Sequence, residues 1–302
     1  MAETESAHRC GHVAIVGRPS VGKSTLLNAL IGARISITSR KPQTTRHRIT
    51  GILTEHDAQY LFVDTPGWET RHRSRLNERL NRAVREALCD VDVIVLVIDA
   101  ARFTRQDREV VGLLPANVPV IVTLNKIDAV TDKRSLLPRI ADIAALSDFA
   151  AIIPISAERG TDLPALKQAI AQRLPPGPAL YPDEEITDRD ERFLAAEFIR
   201  EKIFRQVGDE VPYGTAVTIE SFEHEGDLRR IRATIFVAKA SQRAILVGEG
   251  GARMKAIASQ ARIDMETLFG GHGLLDGWVL VHRRRPGHRA RLTRPVPCAP
   301  SS

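Results

Sequence analysis

The stretch Gly17-Arg18-Pro19-Ser20-Val21-Gly22-Lys23-Ser24 constrains this chain more than any other. It follows an apolar run, residues 12–16, and precedes a helix-compatible run, residues 25–31. Strand, glycine loop and helix in that order are the context that a phosphate-binding loop requires. Glycine lets successive backbone N–H groups turn inward on an anion, and the helix N-terminus adds its dipole at the same point. In such a loop Lys23 reaches the β- and γ-phosphates and the Ser24 hydroxyl holds Mg²⁺. The expectation is a nucleoside triphosphate site formed by Gly17 through Ser24 together with Thr25.

The surrounding pattern supports it. Apolar runs at residues 12–16, 59–63, 91–98, 118–124 and 151–155 alternate with helix-compatible stretches at 26–31, 76–89, 107–114, 135–146 and 163–174. Most runs are rich in Val, Ile and Leu without polar alternation, as in parallel strands buried on both faces. This predicts a doubly wound, mostly parallel α/β sheet with ligands at the carboxyl ends of its strands. Pro175-Pro176-Gly177-Pro178 stops the alternation and reads as a linker over 175–186. A smaller α+β unit follows over 187–282. It has a capped helix at 191–207, alternating runs at 216–222 and 230–237 around Glu225-Gly226-Asp227, a helix at 252–261 and a strand at 278–281. Residues 1–10 read as a polar tail, 11–174 as the nucleotide-binding domain, and 283–302 as a disordered basic, proline-containing tail opened by Arg283-Arg284-Arg285-Pro286.

Composition excludes several classes. At 302 residues, 43% hydrophobic and 26% charged, the chain is an ordinary globular protein with room for two domains. Cys10, Cys89 and Cys298 lie far apart with no metal-ligand spacing, which argues against a zinc site or a disulfide framework and fits a reducing compartment. Residues 1–8 are polar and carry Glu3 and Glu5, so no signal peptide is expected. Residues 91–101, the most apolar segment, are too few to cross a bilayer and contain Asp99. The net charge of +6 leaves a polyanionic partner open without demonstrating one.

Asn125-Lys126-Ile127-Asp128 ends the 118–124 run, and this segment is expected to bind the base, with Asn125 and Asp128 selecting guanine. An aspartate there can accept both N–H groups on the Watson–Crick edge of guanine. Adenine lacks that donor pair and would leave a carboxylate unpaired. Ser156-Ala157 ends the next run, where a backbone N–H could meet the guanine oxygen. Asp64-Thr65-Pro66-Gly67 ends the 59–63 run: Asp64 can order a Mg²⁺-bound water and the Gly67 N–H can sense the γ-phosphate. In Gln43-Thr44-Thr45-Arg46, one threonine should complete the Mg²⁺ shell only with GTP bound, Thr45 being the choice over Thr44. That would make the loop a switch. Lys23, Thr45, Asp64 and Gly67 are thus the candidate catalytic set. Trp68 follows and is counted with Asp64, Thr65, Pro66 and Gly67 among the nucleotide-binding residues, at the position where many GTPases carry a water-orienting glutamine. An indole cannot polarise water in that way, so slow intrinsic hydrolysis is expected, with the water placed by backbone, a cation or a partner.

In the second unit, Gly248-Glu249-Gly250-Gly251 has the GxxG form that KH domains use to bring a sugar–phosphate backbone close to loop amides. Lys239, Arg243, Arg253 and Lys255 are the candidate phosphate contacts. A single GxxG is a small signal; the helix–strand–strand–helix–GxxG–helix–strand order strengthens it.

The chain resembles the bacterial Era GTPase family in the segments GRPSVGKSTLLNAL, SITSRKPQTTRHRI, FVDTPG, NKID, ISA, ITDRDERFLAAEFIREK and ILVGEGGARMK. The resemblance implies an Era-type G domain joined to a type II KH domain. It further implies GTP/GDP and Mg²⁺ as ligands, binding near the 3′ end of 16S rRNA, and a role in small ribosomal subunit assembly. A cytoplasmic monomer with peripheral contact to the inner membrane is expected. Three departures stand out. Ser20 replaces the usual asparagine that helps hold K⁺, so K⁺ activation is not expected. Glu249 and Gly250 replace a basic residue in the GxxG loop, and the arginine/proline tail replaces a C-terminal helix. Two other readings stay open: a membrane-recruited regulatory GTPase that uses this tail, and an RNA-binding assembly factor whose nucleotide site is structural.

Overall fold

A computed structural model of the chain describes residues 8–39, 41, 44–45, 47–70, 75–208 and 211–281. The arginine/proline tail, Gln43, Arg46 and Cys298 lie outside the described residues. The chain divides into two compact units between Asp188 and Arg189.

In the first unit, β1 (Arg9–Val16), β3 (Ala58–Asp64), β4 (Val93–Asp99), β5 (Val120–Asn125) and β6 (Ala151–Pro154) pair in parallel. β2 (Ile49–Glu55) lies antiparallel to β3 at one edge, giving the order β2-β3-β1-β4-β5-β6. Every residue of β3 and β5 is buried, which explains why neither alternates polar and apolar positions; the polar residues they do carry, such as Gln59 and Thr123, are buried and hydrogen-bonded. The helices are α1 (Lys23–Ile31), α2 (Arg75–Cys89), α3 (Arg105–Val111), α4 (Leu136–Ala144) and α5 (Leu163–Ala171). Sequence patterning missed β2. Its run, ITGILTE, holds two threonines and a glycine, and an edge strand need not be apolar throughout. Gly51 lets Leu27 and Ile35 pack directly on the strand: a Cβ there would lie 2.7 Å from Leu27 Cδ1 and 2.9 Å from Ile35 Cδ1, so these methyls would have to shift.

The register sets Asp64 beside Ile15 and Asp99 beside Asn125. The polar residues that close β3, β4 and β5 therefore gather at one end of the sheet, next to the loop that follows Val16. This is the end at which doubly wound sheets bind ligands.

The proline-rich stretch read as a linker is tied to this sheet. Pro176 bridges Arg9, Cys10 N donates to Pro175 O at 3.1 Å, and Ile52 N donates to Ile186 O at 2.9 Å. The chief tie is Gln59, whose side chain is fully buried. Its Oε1 accepts from Leu180 N (2.7 Å) and Tyr181 N (3.0 Å), and its Nε2 donates to Tyr181 O (2.7 Å) and Thr54 Oγ1 (2.9 Å). Proline blocks regular hydrogen bonding, so a side-chain amide supplies the missing partners.

The second unit holds α6 (Glu191–Gln206), β7 (Ala216–Glu225), β8 (Leu228–Val237), α7 (Ala240–Val247), α8 (Ala252–Phe269) and β9 (His272–Val281). β7 pairs antiparallel and β9 parallel with β8. Asp190 caps α6, accepting from Phe193 N at 2.8 Å. Two sequence boundaries are corrected. The helix expected at 252–261 runs on to Phe269, because Met254, Ile257, Ala261 and Met265 continue one buried stripe. The strand expected at 278–281 begins at His272; Gly273 and Gly277 hide it in sequence, and pairing with β8 creates it.

Replacing Gln59 with Leu keeps the volume but strips the hydrogen bonds from the 180–181 backbone. The expected cost is about 1–3 kcal/mol in urea unfolding, with faster protease cleavage within 175–187. Cleavage at the wild-type rate would show that Gln59 does not hold this segment.

Candidate functional site

The phosphate loop is built around unusual backbone conformations. Gly17 and Gly22 have φ of 152° and 101°, and even Ser20 has φ 63°. A Cβ on Gly17 would meet Val97 O at 2.5 Å, and one on Gly22 would meet Asn125 Nδ2 at 2.3 Å. Lys23 starts α1 and is 7% exposed. Its Nζ donates to Gly17 O at 3.1 Å and Arg18 O at 2.9 Å, so the loop curls around its own lysine. Burial pulls the Lys23 amine down to about 8, with Asp64 and Asp107 partly offsetting and Arg18 adding to the effect.

One turn of α1 and two loops converge on Asp64. Its Oδ2 accepts from Ser24 Oγ at 2.7 Å, Ser36 Oγ at 2.8 Å and Thr45 Oγ1 at 3.4 Å. Ser24 Oγ and Thr45 Oγ1 are themselves 2.9 Å apart. Asp64 is fully buried, and its other oxygen, Oδ1, has no protein partner. Burial raises its pKa, opposed by the Ser24 hydroxyl, the Lys23 charge and the other two hydroxyls. Hard oxygen donors beside an unpartnered buried carboxylate oxygen fit a small divalent cation such as Mg²⁺. Of the two threonines, Thr45 faces this cluster, whereas Thr44 Oγ1 donates back to Lys41 O at 2.8 Å. Pro19, Ser20, Lys23, Thr45 and Gly67 line one pocket. Gly67 packs so tightly on Pro19 that a Cβ would lie 2.6 Å from Pro19 Cα. Thr65 Oγ1 pins this segment to Ile15 O at 2.8 Å.

The base-side loops are fastened by Asn125. Its Nδ2 donates to Val21 O (2.9 Å), and its Oδ1 accepts from Lys126 N (2.8 Å) and Ala157 N (2.9 Å). The Ala157 N–H expected to face the guanine oxygen is therefore engaged by Asn125. Asp128 is half-buried beside Ile127, and its Oδ1 accepts from Ser156 Oγ at 2.5 Å. Lys126, at φ 69°, donates from Nζ to Ser20 O (2.7 Å) and Asp99 Oδ2 (2.8 Å).

Two side chains assigned to the nucleotide point elsewhere. Arg18 Nε donates to Asp107 Oδ2 at 3.1 Å and its Nη2 to Arg102 O at 3.0 Å, clamping the loop to the start of α3. Asp107 also accepts from Thr104 N and Oγ1, both at 2.7 Å. The Trp68 indole packs in the core with Val84 and Leu88, under the Arg85 guanidinium 5.3 Å away, and only its backbone N–H reaches the loop, at Gly17 O (3.2 Å). Sequence reading missed Asp99, Asp107 and Ser36. Asp99 carried a signal, because it closes an apolar run as Asp64 does. Ser36 carried none.

In the second unit, Gly248, Gly250 and Gly251 have φ of 74°, 54° and 82°, which β-carbon-bearing residues rarely adopt. The loop joins α7 to the N-terminus of α8. Glu249, Lys239 and Lys255 are exposed and Arg243 is half-buried. Arg253 folds back, donating from Nη1 to Ile245 O at the end of α7. Among the described residues no helix is long and apolar enough to cross a membrane.

A parallel sheet with a glycine loop, a hydroxyl–carboxylate cluster and an Asn-Lys-Ile-Asp loop at its carboxyl end defines a P-loop GTPase domain, here followed by a unit with KH features. A family model described as a 50S ribosome-binding GTPase matches residues 12–126, and a KH-domain model matches residues 210–282. GTPase Era of Nitrosomonas eutropha is 54% identical over 276 residues, covering 91% of this chain and 93% of that protein. GTPase Era of Chromobacterium violaceum is 50% identical, covering 92% and 94%. Two solved structures superpose with a TM-score of 0.87 at 37% identity, each covering 91% of this chain and 94% of the other. One is an Aquifex aeolicus Era variant bound to GDP and AlF4⁻; the other is Era in complex with MgGDPNP and nucleotides 1506–1542 of 16S ribosomal RNA. The chain belongs to the Era GTPase family.

The Lys23 shift has a measurable sign. With the amine lowered to about 8, the nucleotide-free protein holds Lys23 mostly neutral at pH 8.5. Phosphate beside it favours the charged form, so GDP binding takes up a proton there, about half a proton or more. At pH 6.5 Lys23 is already charged and contributes no uptake. Calorimetry in buffers of different ionisation enthalpy reads this directly, and zero uptake at pH 8.5 contradicts it.

Proposed function

We propose that this chain is a GTP-dependent switch whose nucleotide state governs single-stranded RNA binding by its KH unit during small-subunit assembly. The observation that supports the switch is the meeting of Ser24, Thr45 and Asp64, in which the Thr45 hydroxyl lies beside that of the phosphate-loop helix. Lys23 and the loop amides bind the phosphates, and Ser24, Thr45 and, through water, Asp64 hold Mg²⁺. Bound Mg²⁺ neutralises charge on the phosphate oxygens. Asp128 reads guanine, while Asn125 acts by holding the loops around the base. Because Trp68 is buried away from the pocket, the attacking water is oriented by backbone groups such as the Gly67 N–H.

Ser20 lacks the side-chain amide for K⁺, and its carbonyl already accepts from Lys126. Hydrolysis is therefore expected to be slow, on the order of 10⁻² s⁻¹ or less, and equal in KCl and NaCl. A several-fold K⁺ stimulation of purified protein would overturn the Ser20 reading, and fast turnover the Trp68 reading.

For RNA, support comes from the three left-handed glycines, the exposed Lys239 and Lys255, and the relative that holds a 16S fragment. Arg243 and the Gly248–Gly251 loop complete the surface; Arg253 shapes it, and Glu249 weakens it by repelling phosphate. A cytoplasmic monomer with peripheral contact to the inner membrane belongs to the same reading and rests on the family alone. The test is affinity for an oligonucleotide of the 16S 3′ end, with GDP or a non-hydrolysable GTP analogue, across a salt series. Tighter binding in the GTP form, weakened about tenfold or more by Gly251→Asp or Lys255→Glu, is expected. Equal affinity in both states favours a structural nucleotide site. No RNA binding beside tail-dependent vesicle binding favours the membrane-recruited GTPase.

A further inference from the structure

Asp64 Oδ2 receives three hydroxyls, and they are not equivalent. Ser24 and Thr45 are the hydroxyls that the magnesium reading gives to the metal, and Thr45 lies in the segment expected to leave when the γ-phosphate is lost. Ser36 has neither duty. It is 1% exposed, its Oγ lies 2.8 Å from Asp64 Oδ2, and its backbone is held at both ends by one side chain of α1. Asn28 Oδ1 accepts from Ser36 N (2.9 Å) and Ile35 N (3.1 Å), and Asn28 Nδ2 donates to Ser36 O (2.7 Å). Asn28 lies four residues after Ser24, on the same face of α1. The helix that carries the phosphate loop thus fixes the Ser36 hydroxyl independently of Thr45.

A carboxylate turns about its terminal bond with little resistance. What distinguishes its two oxygens here is the donor set: Oδ2 is saturated and Oδ1 has no protein partner. We infer that Ser36 is a positioning residue for Asp64, the nucleotide-independent donor that anchors Oδ2 and keeps Oδ1 presented to the magnesium shell. Asn28 acts behind it by fixing where that hydroxyl stands. The inference rests on the reading of Asp64 as the residue that holds the metal through water.

The readout is the magnesium linkage of nucleotide binding, not turnover. The affinity of a fluorescent GDP is measured with excess Mg²⁺ and with EDTA, and their ratio gives the gain due to the metal. Ser36→Ala is expected to cut that gain about five- to tenfold, the loss confined to the magnesium buffer. Ser36→Thr, which keeps the hydroxyl, is expected to restore it. Should Ser36→Ala fail to fold, Ser36→Cys preserves the shape with a poor donor and carries the same expected loss. An unchanged gain in the hydroxyl-free variant overturns the inference, as does an equal loss with and without Mg²⁺, which marks a structural role only. Asp64→Asn separates the two levels. If it abolishes the gain while Ser36→Ala does not, only the role of Ser36 falls; if it leaves the gain intact, the metal reading of Asp64 falls first.

Discussion

A carboxylate with no exposure to water must be satisfied by its neighbours, and Asp64 imposes that requirement on everything around it. It stands at the end of a strand buried on both faces, so solvent cannot serve it. Ser24, Ser36 and Thr45 come to it from the phosphate-loop helix and from the segments that follow. Bringing them together sets Ser36 and Thr45 against the start of α1, and Ser24 and Thr45 line the pocket. The other oxygen, Oδ1, they leave without a protein partner. Buried polar clusters of this kind define a single arrangement of loops, because any displacement strands a charge.

The remaining loops are tied by a second set of polar contacts. Asn125 links the phosphate loop, its own loop and the Ala157 loop through one amide. Lys126 reaches from that loop to Ser20 and Asp99, and Arg18 reaches from the phosphate loop to Asp107. These side chains fasten the loops of the site to one another. The two cations are each paired with a carboxylate, Arg18 with Asp107 and Lys126 with Asp99.

In the second unit the ions are again paired, on a helix rather than in loops. Glu197, Arg200, Glu201 and Lys202 are nearly buried on α6. Arg200 pairs with Glu197, Arg205 with Glu201, and Lys202 with Asp264 of α8. Removing one partner from such a set is costly because the other charge stays buried. The Lys202–Asp264 pair joins α6 to α8, the helix whose first turn follows the GxxG loop.

Much of this was legible in sequence. A glycine loop between a strand and a helix, carboxylates closing apolar runs and a proline break are local patterns, and each has one dominant physical cause. They sufficed to locate the phosphate loop, Asp64, Asp128 and the GxxG loop, and to expect a parallel sheet. What they could not reach depends on partners distant in the chain. The edge strand β2 and the early part of β9 exist because a neighbouring strand supplies their hydrogen bonds, not because of their own residues. Ser36 becomes important only when Asn28 and Asp64 are set beside it, and Gln59 only when the proline segment returns to it. Trp68 and Arg18, placed by sequence against the nucleotide, turn away once the core and Asp107 are seen. Sequence determined which groups stand at the ends of the strands, since hydrophobic burial and backbone geometry act locally; the tertiary structure decided which of them meet, since a buried polar atom is satisfied only by what the fold brings within hydrogen-bonding distance.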